Sequence, residues 1–210
     1  MEEKKLTRRE REKMRHRSEI LEVALDLFSS KGYHNVSMHE IAKTAEFAVG
    51  TLYKFFKNKE DVYKALIFEI ADQFHSAIDE VFQGTKDEYT KIMDYIRVKG
   101  KVFMSNAKAI RLYFAETSGV KFNLKATLST ELQERYETFL NQLSEVFAKG
   151  IEKGIFRAAN PYYLALSLEG IVNNFLFCWL EDHEKHPFEE NIAEIEKIFF
   201  QSVLTVKHEG

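Results

Sequence analysis

Residues 37–60 read Ser37-Met38-His39-Glu40-Ile41-Ala42-Lys43-Thr44-Ala45-Glu46-Phe47-Ala48-Val49-Gly50-Thr51-Leu52-Tyr53-Lys54-Phe55-Phe56-Lys57-Asn58-Lys59-Glu60, and this stretch decides the fold. Ser37 and Glu40 have capping-box spacing: the hydroxyl accepts the orphan amide of the third helical position and the carboxylate reaches back. A short helix over about 38–45 is predicted. Leu52 and Phe56, four apart, share one face of a second short helix over about 48–56. A tight turn at Glu46 joins them. Asn58 then caps a longer helix in which Val62, Leu66, Ile70, Phe74, Ile78 and Val81 keep an apolar stripe as far as Gly84. Upstream, Ile20, Leu21, Ala24, Leu25 and Phe28 recur at helical spacing before Gly32, which is placed as a helix C-cap. The local reading is a helix followed by a helix-turn-helix.

Beyond Gly84, helical periodicity resumes over about 88–104, 107–117, 126–153, 161–183 and 188–205, with breaks at Gly119, Gly154 and Pro187. Asn160-Pro161 pairs a cap residue with proline at the first helical position. No strand pattern competes, and two prolines and nine glycines in 210 residues leave few breakers. An all-α fold of about nine helices is expected. Residues 1–17 form a basic N-terminal arm, 18–58 a helix-turn-helix domain and 59–210 a larger helical domain, with 59–83 as the connecting helix.

A net charge of −3 conceals an asymmetry. Residues 1–60 hold 13 Lys and Arg against 10 Asp and Glu; the remainder holds 17 against 23. Between Lys4 and Arg17, eight basic residues face only Glu10 and Glu12. A basic end on an acidic body suits a polyanionic partner at that end. The arm has no apolar face for a membrane. The N-terminus lacks the apolar run of a signal peptide, and no stretch approaches 18 uninterrupted apolar residues, so a cytoplasmic protein without a membrane partner is expected. A single cysteine, Cys178, excludes an internal disulfide framework, and no Cys/His set has zinc spacing. No glycine-rich phosphate loop, His-Glu-x-x-His or nucleophile elbow is present, so neither enzymatic activity, a metal nor a cofactor is expected. His183-x-x-His186, beside Glu181 and Asp182, reads as a solvated helix end before Pro187.

Residues 18–66 resemble the DNA-binding domain of the TetR family, with Gly50 to Glu60 close to that family's pattern through the recognition helix. Ala24–Tyr33 and Ser37–Ala45 resemble its two preceding helices, and Gly150-Ile151-Glu152-Lys153-Gly154-Ile155-Phe156-Arg157 before Asn160-Pro161 is a weaker likeness. The resemblance implies that Tyr53 and Lys59 clamp phosphates and that His39, Val49, Gly50, Thr51, Lys54 and Phe55 lie where family members often touch DNA. Physics agrees for several of these. The small residues Ala48, Val49 and Gly50 allow close approach to a groove, Thr51 can meet a base edge or a thymine methyl, and Lys54 and Lys57 reach phosphate oxygens. Ser37 and His39 sit at a helix start, where amides favour phosphate. Arg15 and Arg17 extend the footprint along the arm. Phe55 is equally readable as core. Family members commonly have glycine where this chain has Glu46, so a non-glycine residue must take the turn's dihedral, which can be left-handed.

The resemblance further implies an effector pocket and a dimer interface in the second domain. Pocket candidates are Phe103, Tyr113, Phe114, Tyr136, Phe139 and Phe177, with Glu169, Asn173 and Asn174 as polar groups that serve either ligand or internal hydrogen bonding. Interface candidates are Leu164, Leu168, Ile171, Phe175 and Trp179 on one helix and Ile192, Ile195, Phe199 and Val203 on the last. A twofold homodimer would present two recognition helices roughly 34 Å apart to a palindromic double-stranded operator. The function expected is a repressor released from DNA by a small apolar or aromatic effector. An activator or architectural protein using the same head without an effector is the alternative.

Overall fold

The computed structural model describes residues 7–116 and 129–205. Among them are α1 (Arg8–Lys31), a 3-10 turn (Tyr33–Asn35), α2 (Met38–Thr44), α3 (Val49–Phe55), α4 (Lys59–Gln83), α5 (Glu88–Ser105), α6 (Ala107–Glu116), α7 (Thr130–Glu152), α8 (Pro161–Glu181) and α9 (Phe188–Val203). The chain is all-α, with a lone antiparallel bridge between Phe156 and Leu204 among the described residues. Gly119 and the start of the helix expected over 126–153 lie outside the described residues. Two compact units divide the chain: Met1–Ile70 with Lys108–Ser118, and Ala71–Ala107 with Gly119–Gly210. The division falls inside α4.

The first unit is built on α1, α2 and α3. Ile20, Leu21, Ala24 and Phe28 of α1 are buried with Ile41 and Ala42 of α2 and Leu52 of α3. Phe56, Val62, Leu66 and Leu112 complete this core, the last contributed by α6. At about 1.5–3 kcal/mol per large apolar side chain removed from water, this cluster is the main stabilising term of the unit. Gly32 closes α1 at φ 82°, its amide donating to the Phe28 carbonyl at 2.9 Å.

Two caps differ from expectation. Ser37 accepts the Glu40 amide at 3.2 Å, but the Glu40 carboxylate turns to the Lys31 ammonium instead of reaching back. The complete capping box lies at Thr7. There Glu10 N–H donates to the Thr7 hydroxyl oxygen at 3.2 Å while the Glu10 carboxylate accepts from the Thr7 amide at 2.8 Å. The stretch after Thr7 is rich in Arg, Lys, Glu and Met, all good helix formers. α1 therefore begins at Arg8, and the basic arm from that residue onward is helix.

In the second unit α8 packs on α7, α5 and α9. Its core holds Ile92, Tyr95, Ile96, Phe139, Leu143, Phe147, Phe156, Val172, Leu176 and Phe200. Two glycines permit close packing: a Cβ on Gly100 would strike the Phe188 ring, and one on Gly150 the Phe156 ring. Asn160 caps α8 by accepting from the Tyr162 and Tyr163 amides at 3.0 and 3.3 Å, and Pro161 takes the first helical position.

Candidate nucleic-acid interface

The turn between α2 and α3 carries the only non-glycine positive φ among the described residues, Glu46 at 59°. A left-handed residue costs an L-amino acid roughly 1–2 kcal/mol. The turn is held nonetheless: Phe47 N–H donates to the Ala42 carbonyl at 2.9 Å, and Phe47 packs edge-on against His16 of α1. This arrangement fixes where α3 starts.

On α3, Leu52 and the following Phe56 face inward. Val49, Thr51 and Phe55 are half-buried, and Phe55 packs on the first unit's core. Ala48, Gly50, Tyr53, Lys54 and Lys57 are exposed, as are Ser37 and His39. Tyr53 stands 49% open to solvent, a large aromatic on a short helix without a cover in its own chain. Gly50 is the more telling residue. A Cβ added there meets nothing within 4 Å, and its φ is ordinary, so neither packing nor backbone geometry requires glycine. Glycine inside a helix costs about 0.5–1 kcal/mol relative to alanine.

Lys59 and Arg17 have internal work. The Lys59 ammonium donates to the carbonyls of Tyr33 and His34 at 2.7 and 3.2 Å and sits 4.4 Å from the centre of the Tyr33 ring. Two of its three donors thereby tie α4 to the turn after α1. Arg17 pairs with Glu69 and lies over the Phe56 ring at 5.6 Å. Arg15 pairs with Glu19 along α1 at 3.5 Å. Lys108 of α6 pairs with Asp26, and Glu116 meets His34 at 3.2 Å. Apart from Glu19, one turn along α1 from Arg15, these partners come from distant segments, which local spacing does not reveal.

Among the pocket candidates, Tyr113 and Phe114 fall in the first unit and the rest in the second. Phe139 is fully buried, with Phe74, Tyr95 and Tyr136 around it at 5.0, 5.5 and 6.2 Å between ring centres. Phe103 meets Phe177 and Trp179 at 6.2 and 6.4 Å. Glu169 is buried and accepts from the Lys99 ammonium, the Tyr95 hydroxyl and the Asn173 amide, the last at 3.1 Å. Lys99 and Tyr95 escaped the sequence reading because their spacing on α5 matches ordinary core and surface positions. Burial pulls the Lys99 ammonium below its usual pKa, against the opposing pull of Glu169. Burial and the adjacent Glu169 push the Tyr95 phenol well above its own. Asn174 donates to the Gly170 carbonyl at 2.8 Å and is exposed. A surface groove of about 690 Å³ opens elsewhere, beside Tyr89, Lys197 and Phe200, and includes none of the pocket candidates.

Of the interface candidates, Leu168, Ile195, Phe199 and Val203 are buried in the chain's own core, whereas Leu164, Ile171, Phe175, Trp179 and Ile192 pack partly against it. The faces turned outward carry Tyr163, Leu166 and Ile198, at 63%, 42% and 54% exposure. By length and composition α8 is apolar enough to cross a membrane, and a third of it is buried within the chain.

Residues 20–66 match the family model of bacterial regulatory proteins, tetR family. The fatty acid metabolism regulator protein of Bacillus subtilis is 27% identical over 80% of this chain and 85% of its own length. The negative transcriptional regulator of the biofilm operon icaADBC from Staphylococcus epidermidis, IcaR, is 24% identical over 76% of this chain and 78% of its own. In fold, the SmeT–triclosan complex superposes with a TM-score of 0.72 at 18% identity, covering 91% of this chain and 93% of that one.

Proposed function

We propose that this chain, a member of the TetR family of bacterial regulatory proteins, is a repressor that holds a palindromic operator as a homodimer and releases it when a small apolar or aromatic effector binds. The observation that carries the DNA-binding half is the outward face of α3 and the turn after it, where Gly50, Tyr53 and Lys54, then Lys57, are exposed. In this reading Gly50 lets the backbone approach the groove, Thr51 and Lys54 read base edges, and Tyr53 and Lys57 hold phosphates. His39 and Ser37 flank them, and Val49, Ala48 and Phe55 shape the contact. Lys59 acts chiefly by fixing the start of α4, with one donor left for a phosphate. Residues 18–58 are the DNA-binding domain, and 59–210 carry effector binding and dimerisation.

Repression is supported by the relative IcaR, described as a negative regulator. The SmeT–triclosan complex shares the fold and supports a small-molecule effector. Effector binding would act by its differential affinity for two states of the dimer. Phe103, Tyr136 and Phe177 are the half-buried aromatics best suited to line that site, and Asn173 is its polar candidate. The outward residues Tyr163, Leu166 and Ile198 are assigned to the twofold interface, since exposed apolar patches of this kind mark association surfaces.

Selection of bound sites from random duplex DNA by the purified full chain tests the reading. An enriched palindrome with half-sites one or more helical turns apart is expected. Recovery of unenriched sequence overturns it. On the selected site, Tyr53→Phe should weaken binding evenly across operator variants, whereas Thr51→Ala should relax one base position by about 1–3 kcal/mol.

A further inference from the structure

The first turns of α1 carry several basic side chains and no core residue. Residues from Thr7 to Arg15 are all exposed, and the first buried residue of the helix is Ile20. At 1.5 Å per residue, Arg9 stands roughly 16 Å along the axis from Ile20. Among the described residues, Arg8, Arg9 and Lys13 have no ion-pair or hydrogen-bond partner. The closed Thr7–Glu10 box holds this segment in the helix.

Helix periodicity sorts the charges. With about 100° per residue, Arg9 and Lys13 project near the azimuths of His16 and Arg17, whereas Arg8 and Arg11 lie on the far side. His16 is the residue packed edge-on against Phe47, just ahead of α3, and Arg17 lies over Phe56, just behind it. The Arg9–Lys13 stripe thus continues the side of α1 that holds the two ends of the recognition helix. Arg8 and Arg11 face away.

We infer that Arg9 and Lys13 form a second, preformed DNA contact, a rigid helical arm that grips backbone phosphates flanking the half-site read by α3. The inference rests on the DNA-binding reading above. Charge complementarity fixes the partner: two cations without a partner among the described residues, on helical turns that bury no side chain, suit a phosphodiester backbone, and phosphate contacts position a protein without reading sequence. The helical state matters. A flexible basic tail would lose conformational entropy on each encounter, while a capped helix presents both charges already aligned.

The test compares equal charge losses on opposite sides of α1, using the full chain and the operator recovered by selection with its native-length flanks. Arg9→Gln with Lys13→Gln should lower the slope of log K against log salt by about 1.8 per bound protomer, two phosphates' worth. It should also remove backbone protection outside the half-site in a hydroxyl-radical footprint. Arg8→Gln with Arg11→Gln removes the same charge and should leave the footprint edge in place. Met14→Pro keeps every charge, touches an exposed residue, and breaks the helix between the arm and the core. It should reproduce the first double variant once circular dichroism shows the rest folded. Equal losses in the two double variants overturn the contact, leaving only long-range attraction. An unchanged slope in Met14→Pro overturns the rigid arm. If the unmodified chain selects no site at all, the fault lies in the helix-turn-helix reading.

Discussion

At Gly50 the demands of folding and of the proposed DNA contact are separable by one substitution. A methyl group there meets empty space, so Gly50→Ala should stabilise the free protein by about 0.5–1 kcal/mol in urea denaturation. The same variant should bind operator more weakly, because the added methyl stands between backbone and groove. A variant that is more stable and binds unchanged would remove glycine's role in close approach. Glu46 shows what sequence could anticipate: the departure from glycine pointed to a left-handed turn residue, and its φ is 59°. Lys59 shows what it could not. A lysine at the first position of a helix announces a charge, but the carbonyls that hold it belong to Tyr33 and His34, about one helix-turn-helix away in the chain. Local spacing carries no information about such partners.

At the scale of the element, caps decide where helices begin. Thr7 and Glu10 hold the arm in α1, and hydrogen bonds from the Thr7 amide and hydroxyl keep the Glu10 carboxyl below its usual pKa. A depressed carboxylate contributes stability above its unfolded pKa and loses it as pH falls through the folded one. Amide exchange at residues 8–13 should therefore quicken relative to the intrinsic rate as pH falls below about 4, well before α2 or α3 opens. A Thr7→Ala variant with the same exchange profile as the unmodified chain would refute the cap's role. The helix periods were legible for the nine α-helices among the described residues because each carries an apolar stripe or a recognisable cap. The start of α1 was missed because its first turns bury nothing, so only the Thr-x-x-Glu spacing marked it. The polar residues within α8 raised a different question, since Glu169 had either a ligand or an internal partner open to it. Its buried bonds to Lys99 and Tyr95 give it an internal one. Removing one member should leave an uncompensated buried charge: Glu169→Leu should cost about 3–5 kcal/mol, and the double variant with Lys99→Met should recover most of it. A cycle of thermal melts on both singles and the double measures this coupling, and additive losses would contradict it.

Over the whole molecule, the first unit is discontinuous. α6 supplies Leu112 to the core beneath the helix-turn-helix, with Lys108 paired to Asp26 and Glu116 to His34. Leu112→Ala should destabilise the first unit by about 2–5 kcal/mol, read as faster amide exchange in α1 and α2, although no residue of the helix-turn-helix has changed. Protection lost only within α6 would show that the contact does not support the head. Sequence placed α6 in the second domain because it follows α5 without a break signal strong enough to reassign it, and chain order says nothing about which core a helix joins. The consequence concerns the way such a protein is cut and rejoined. A chimaera that grafts this head onto another sensor at a single seam after Ile70 would leave part of the head's own core behind with the donor. A working graft needs two crossovers, carrying Lys108–Glu116 along with the reader. By the same logic a growing chain cannot finish its reader until α6 has left the ribosome, so the part that meets DNA is made first and completed late.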